Sequence, residues 1–304
     1  MKPLLECVPN FSEGKDAALV DQLVAVMSSV EGVSCLAHEL DAAHNRCVIT
    51  LAGAPDAVAD AAFQGLAKAI GSIDLNHHRG EHRRMGAMDV CPFVPLGSAD
   101  MDLAVATAEK VGARIGQELE VPVFLYAKAA RREERRILGN VRNKQFEGLK
   151  ELVGADPEFA PDFGPAHLHP TAGAVGVGAR TFLIAYNINL RTQDVAIAKA
   201  ISKQVRERDG GLARVQAMGF YLDDRQMAQV SMNLLDYNVT SIRRVFDEVA
   251  AKAEAAGVAI EESELVGLVP AAAMDSETAT HVKLQGFDQE LQVVEARLKA
   301  AGIE

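Results

Sequence analysis

The densest set of reactive side chains lies in Asn76-His-His-Arg-Gly-Glu-His-Arg-Arg-Met-Gly-Ala-Met-Asp89, which holds three histidines, three arginines and two acids. An imidazole, with an ordinary pKa of ~6.5, can take up and return a proton near neutral pH. Gly80 and Gly86 punctuate the segment, which reads as a structured turn between a helix and a strand rather than as a helix. A solvated basic loop has the same composition, so the segment alone does not decide. A second turn, Glu39-Leu-Asp41-Ala-Ala-His44-Asn45-Arg46, sets carboxylates beside an arginine, and Asp and Asn also favour a plain hairpin turn.

Other chemistries fit less well. His77, His78 and His82 could join His38, His44 or Asp41 around zinc or iron, but none of these pairs has a recurrent ligand spacing, and no metal is expected. Cys7, Cys35, Cys47 and Cys91 lie in apparent strands and read as small buried hydrophobes rather than nucleophiles. Gly173, Gly176 and Gly178 could form a phosphate cradle, but a dinucleotide fingerprint needs a strand before it and a helix after it. Here a strand follows, so the glycines read as a close-approach loop able to line a ligand. Arg131-Arg-Glu-Glu-Arg-Arg136 reads as a solvated face without function.

The chain as a whole bounds the partners. Its 304 residues, 49% hydrophobic and 24% charged, suit two globular domains at roughly 150 residues each. A net charge of −11 argues against nucleic acid, whose phosphates need a basic face. No apolar run approaches the ~18 residues of a membrane span, and the N-terminus lacks a signal-peptide core. Four unpaired-looking cysteines fit a reducing, cytoplasmic setting.

The elements that must position these residues follow from periodicity. Leu4–Val8 reads as a strand, and Ser12 as the cap of a helix carrying Leu19, Leu23, Met27 and Val30. Strands at 33–40 and 47–51, a helix from Pro55 and a strand at 89–96 complete a β-α-β-β-α-β order. A helix (101–119), a strand (121–126) and a charged helix (131–153) come next. The order then returns: strand 182–190, helix 193–208, strands 215–222 and 227–235, helix 242–256 and strand 264–269. A closing helix spans 289–301. The fold class is therefore α/β (α+β), two similar split-βαβ, ferredoxin-like subdomains at 1–178 and 179–304, with a ligand groove expected between them.

Seven stretches identify the chain more closely: Glu6-Cys-Val-Pro-Asn-Phe-Ser-Glu-Gly14, His44-Asn-Arg46, Gly80-Glu-His-Arg-Arg-Met-Gly86 with Asp89-Val-Cys-Pro-Phe-Val-Pro95, Asp162-Phe-Gly-Pro165, Phe182-Leu-Ile-Ala-Tyr-Asn-Ile-Asn-Leu190, Gln229-Val-Ser-Met-Asn-Leu-Leu-Asp236 and Leu265-Val-Gly-Leu-Val-Pro270. Together they resemble the formiminotransferase domain of glutamate formimidoyltransferases, in the stand-alone form without a cyclodeaminase domain. The resemblance implies transfer of a formimino group from N-formimino-L-glutamate to N5 of tetrahydrofolate, in histidine degradation and one-carbon metabolism. It also implies a homodimer. The family's catalytic histidine falls on His82, and its folate-contacting stretch on Gly164, Pro165, Ala166, His167, Leu168, His169, Pro170, Thr171, Ala172 and Gly173. The family commonly has Pro after that histidine, where this chain has Arg83. Asp41 or Glu39 is the candidate to stabilise the formimino cation. Arg46, Arg79, Arg84 and Arg180, with Asn10, are candidates for the donor's carboxylates, which a planar guanidinium matches. A different donor, formiminoglycine or a formyl group exchanged with 5-formyltetrahydrofolate, is the alternative within the same chemistry. A non-catalytic folate binder is the alternative outside it.

Overall fold

The computed structural model describes residues 2–42, 44–80, 83–223 and 225–303, which fall into two compact units, Met1–Arg180 with Ala301–Glu304, and Thr181–Ala300.

The first unit opens with β1 (Pro3–Cys7) and β2 (Asn10–Phe11), separated at Pro9, which has no N–H for a ladder. Then come α1 (Ala17–Ser28), β3 (Val33–Asp41), β4 (Arg46–Gly53), α2 (Pro55–Ile70) and β5 (Met88–Gly97). This is the expected split-βαβ order. It is extended by α3 (Met101–Glu118), β6 (Val123–Ala127), α4 (Gly139–Arg142), α5 (Gln145–Leu152) and β7 (Val175–Ala179). The sheet runs β1-β4-β2-β5-β7-β6, with β3 on the far side of β4 and β1 also paired to β5. Pairing is antiparallel except for β7, which runs parallel to β5 and β6.

Alternation along the strands decides what each sheet face does. Leu5 and Cys7 of β1, and Cys47, Ile49 and Leu51 of β4, join Val20, Leu23, Val58, Ala62 and Leu66 of α1 and α2 in one core. Cys91, Phe93, Val175, Val177 and Leu125 continue that core against Ala104, Ala108 and Ile115 of α3. The side chains between these positions occupy the opposite face, and they carry the polar groups.

The second unit repeats the order with β8 (Ile184–Leu190), α6 (Val195–Val205), β9 (Val215–Leu222), β10 (Met227–Leu234), α7 (Ile242–Ala255) and β11 (Ile260–Val266). Its antiparallel sheet runs β11-β8-β10-β9, and α8 (Ser276–His281), α9 (Gln289–Gln292) and α10 (Val294–Ala300) follow. Ile184, Tyr186, Ile188 and Leu190 pack with α6 and α7, while Asn187 and Asn189 take the other face.

Several local expectations change. Asp16, not Ser12, caps α1 by accepting from Leu19 N–H; Ser12 Oγ instead donates to Gly86 O at 2.7 Å. The charged segment is not one helix. It is a 3-10 turn at Glu133–Arg136 followed by α4 and α5, which are separated near Gln145, whose φ of 55° is left-handed. The closing helix is broken at Val293, whose extended backbone lets Val269 bond to Gln292 O and to Val294 N–H. The strand expected at 264–269 lies earlier, at Ile260–Val266, and bulges between Ile260 and Glu262.

Arg135 is the largest correction, because it is not solvated but 1% exposed. Its Nη1 donates to Asp162 Oδ2 at 2.7 Å, Nη2 donates to Glu158 O and Ala160 O, and the guanidinium lies 5.0 Å from the Phe124 ring centre. Asp162, 5% exposed, also accepts from Leu125 N–H, so the pair ties β6 to the chain entering the 164–173 stretch. Removing one partner of such a pair strands the other charge in the interior. Arg135→Met is expected to destabilise the first unit by about 3–5 kcal/mol, read from the urea midpoint. A cost under about 1 kcal/mol would mean the pair behaves as a surface contact.

Candidate functional site

The polar groups of the first unit gather on the sheet face away from α1, α2 and α3. Asp41 pairs with Arg46, Glu39 and Asn10 both pair with Val48, and Glu6 pairs with Ala52. Cross-strand partners share a face, so Glu6, Asn10, Glu39, Asp41 and Arg46 stand on one surface. The register of β5 and β7 carries that face onward to Gly176, Gly178 and Tyr126.

The hairpin turn after β3 is held by its own side chains. Asp41 accepts from His44 N–H at 2.9 Å and is 2.6 Å from His44 Nδ1. Burial pushes the Asp41 carboxyl up, but the His44 bonds and the charges of His44 and Arg46 outweigh it and leave it below the usual value. Asn45 lies at φ 50°; its Oδ1 accepts from Gly14 N–H and its Nδ2 donates to Arg79 O. Arg46 is different. Burial and the nearby charge of Arg142 lower its pKa while Asp41, Asp89 and Glu39 raise it. Its buried Nε has no hydrogen-bond partner among the described residues.

The segment between α2 and β5 is stitched down on both sides. Leu75 N–H donates to Thr171 O, Asn76 Nδ2 to Pro170 O, Ala87 N–H to Ala172 O and Ala174 N–H to Met85 O. These bonds join it to the stretch containing the expected folate contacts. His78 is buried between Asn45 and Arg84: its Nε2 is 2.8 Å from Asn45 O, and Arg84 Nε donates to its Nδ1 at 3.2 Å. A carbonyl can only accept, so His78 is the neutral Nε2–H tautomer. Arg84 then binds both oxygens of Glu147 at 2.7 Å, holding that carboxyl down at about 2. A Cβ on Gly80 would lie 2.2 Å from His44 O, so the chain passes the hairpin turn where no other residue fits.

The candidate residues therefore divide. Arg84 is buried and committed to Glu147, His78 and Leu75 O, which makes it structural. Arg79 Nη1 donates to Asn76 O and His78 O. Arg180 follows β7, and its N–H bonds Phe93 O. Gly164, Ala166, His167 and Pro170 are exposed, Pro165, His169 and Thr171 are half-buried, and Leu168, Ala172 and Gly173 are buried. His169 Nδ1 accepts from Ala172 N–H at 3.0 Å, and His169 and Gly173 exchange backbone bonds, closing a tight turn. Glu81 and His82 lie outside the described residues; Arg83, the next residue, donates to Asn143 Oδ1 at 2.7 Å.

The glycine stretch is corrected as well. Gly176 and Gly178 are not in a ligand-lining loop but inside β7, where a Cβ would meet Met85 and Leu138, or the Tyr126 ring at 2.6 Å. Gly173, at φ 69°, has Met85 O in the same space. All three admit the protein's own atoms. The cysteine reading agrees with burial for Cys7, Cys47 and Cys91, whereas Cys35 is half-buried; Cys7 is pushed well up by burial and its Cys91 neighbour, and Cys47 to about 12. Among the described residues no three His, Cys, Asp or Glu side chains are placed to hold a metal ion, and no helix is long and apolar enough to cross a membrane. Asp89 was counted among the acids of its segment without a role, and Arg142 went unnoticed in the sequence. Asp89 is buried, accepts from Met85 N–H at 2.8 Å and lies 3.5 Å from Arg142 Nη1. Its place in the Asp89-Val-Cys-Pro motif was the available signal.

The chain matches a family model for the formiminotransferase domain, N-terminal subdomain, over residues 4–180, and one for the formiminotransferase domain over residues 185–302. It is 45% identical to a glutamate formimidoyltransferase of Thermoplasma acidophilum and 42% identical to one of Streptococcus pyogenes serotype M1, covering 99% and 98% of this chain and 99% of each relative. It is 44% identical to a formimidoyltransferase-cyclodeaminase of Gallus gallus over 93% of this chain and 53% of that protein.

His78 gives the site a testable pH dependence. Burial, then the Arg84 charge, lowers its pKa below the ordinary value. The unfolded chain therefore takes up a proton near pH ~6.5 that folded His78 resists. Stability should be level above that pH and fall as the pH drops through the lowered folded value. In urea titrations between pH 5 and 7.5, His78→Gln is expected to flatten this acid-side slope. Identical slopes in the two proteins would mean that His78 does not contribute to it.

Proposed function

The chain belongs to the formiminotransferase domain family, and from that membership we propose that it transfers the formimino group of N-formimino-L-glutamate to N5 of tetrahydrofolate, releasing L-glutamate. It is a transferase. One observation from the fold supports the more detailed reading: three segments far apart in sequence, the 41–46 turn, the 74–86 segment and the 164–173 stretch, are hydrogen-bonded into one region of the first unit.

The chemistry needs two proton movements. N5 is a neutral amine whose lone pair attacks the carbon of a protonated formimino group. As that C–N bond forms, N5 turns cationic and gives up its proton. The glutamate nitrogen takes a proton, and the bond between it and the carbon breaks. An imidazole can serve both steps in turn, as base and then as acid. His82 is the residue proposed for it. Asp41, held ionised by His44, is proposed to face the cationic amidine, with Glu39 on the same strand face. Arg46 is proposed as a carboxylate receptor, because a buried guanidinium N–H without an acceptor among the described residues suits an anionic ligand. The exposed part of 164–173 is proposed to touch the folate. Tetrahydrofolate enters as a co-substrate, and the sequence of steps requires no metal. A cytoplasmic homodimer acting in histidine breakdown completes the reading.

A panel of one-carbon donors mixed with tetrahydrofolate tests it, with the 5-substituted folate read by absorbance. N-formimino-L-glutamate is expected to be the preferred donor; turnover only with formiminoglycine, or only between 5-formyltetrahydrofolate and L-glutamate, would reassign the activity. His82→Gln is expected to lower kcat about 10²–10⁴-fold with an unchanged circular dichroism spectrum. Near wild-type turnover in a folded His82→Gln protein would remove it from the mechanism. Asp41→Asn should lower kcat more than it raises the KM of tetrahydrofolate; no change in either would end its role.

A further inference from the structure

We infer that Arg142 is the second guanidinium of the donor's carboxylate site and that, with Arg46, it makes this a site for a dicarboxylate. The inference deepens the transferase reading and rests on it.

Four observations bring Arg142 there. It ends α4, and the next residue, Asn143, accepts from Arg83, which directly follows His82 in the chain. The same segment is fixed to the loop twice more, by Phe146 N–H to Arg84 O and by the Arg84–Glu147 pair. The Arg142 side chain is 31% exposed and, among the described residues, makes only a long 3.5 Å contact with Asp89, a carboxylate already engaged by Met85 N–H. Asp89, which it contacts, adjoins Val90, whose strand partner Asn10 also pairs with Val48, two residues from Arg46, and the charges of the two arginines interact.

Two guanidiniums near one another and partly withdrawn from water repel each other, and an anion between or beside them relieves that cost. Arg46 presents a buried N–H with no acceptor among the described residues, and Arg142 presents a half-open fork. Arg84 and Arg135 show the contrast, since each is matched by a carboxylate of the protein. A formimino donor with one carboxylate would satisfy one of the two open guanidiniums. A donor with both an α- and a side-chain carboxylate would satisfy both.

The test uses the full chain with Arg142→Gln and Arg142→Lys. Steady-state kinetics are run with N-formimino-L-glutamate and with formiminoglycine at saturating tetrahydrofolate, and L-glutamate binding is measured by calorimetry. Arg142→Gln is expected to raise the KM for the glutamate donor about tenfold or more, as expected for a lost charge-assisted contact. It should weaken L-glutamate binding similarly, leave the glycine donor and the KM of tetrahydrofolate nearly unchanged, and so reduce the preference between donors. Arg142→Lys, which keeps the charge, should recover part of the loss and guards against a variant that fails to fold. Equal effects on both donors, or none on either, would overturn the inference while leaving the transferase reading intact. A wild-type protein inactive with every formimino donor would instead overturn the reading beneath it.

Discussion

A guanidinium taken out of water must find acceptors, and this constraint sorts the arginines of the first unit. Arg84 finds Glu147, His78 and a carbonyl; Arg135 finds Asp162 and two carbonyls. Those side chains hold the structure together. Arg46 is half-buried, with a buried Nε that nothing in the described protein accepts from. Arg135 also leaves its Nε unpaired among the described residues, but its Nη atoms donate to Asp162 and to two carbonyls and its guanidinium lies over the Phe124 ring, so its charge is compensated. Exposure alone would have ranked these residues differently, whereas the match between donors and acceptors separates the arginines the protein pairs itself from the one it leaves open among the described residues.

The same accounting explains why the loop before β5 can carry chemistry. A loop laid across a sheet would leave backbone N–H and C=O groups unpaired unless other chain segments met them. Here Ser12, Asn45, Thr171, Ala172 and Ala174 supply the partners, from three different parts of the sequence. Each such bond also fixes a position, so the requirement to satisfy the backbone and the requirement to pre-organise a site are met by the same contacts. At Gly80, Gly86 and Gly173 a carbonyl from elsewhere in the same chain occupies the space of a Cβ.

The fold was largely legible because it rests on short-range patterns. Alternation along β4 and β8, the Pro55 start of α2 and the two β-α-β-β-α-β runs each follow from local residue types. The misreadings share a different cause. Arg135 looked like one of several solvated charges because its partner Asp162 lies 27 residues away. Arg142 was passed over for the same reason, since Asp89 is 53 residues distant. Gly176 and Gly178 looked like a loop because glycine marks turns locally, yet here the tight packing of Tyr126, Met85 and Leu138 over a buried strand demands it. Break points such as Val293 depend on a strand bond to Val269 that helical spacing cannot reveal.

The location of the polar face follows from the architecture itself. A split βαβ unit sends both its crossover helices to one side of the sheet, so the opposite face receives no helix from the repeat. In the first unit that face bears Glu6, Asn10, Glu39, Asp41 and Arg46, and in the second it bears Asn189, Gln229, Glu262 and Glu264. The second face is internally satisfied: Asn189 donates to Glu262 and Glu264 and accepts from Gln229, and Arg225 bridges the two glutamates. The first retains an orphaned guanidinium donor. Two faces of the same origin thus differ in the one respect that matters for binding an anion, and the difference lies in how their charges are paired rather than in their backbone.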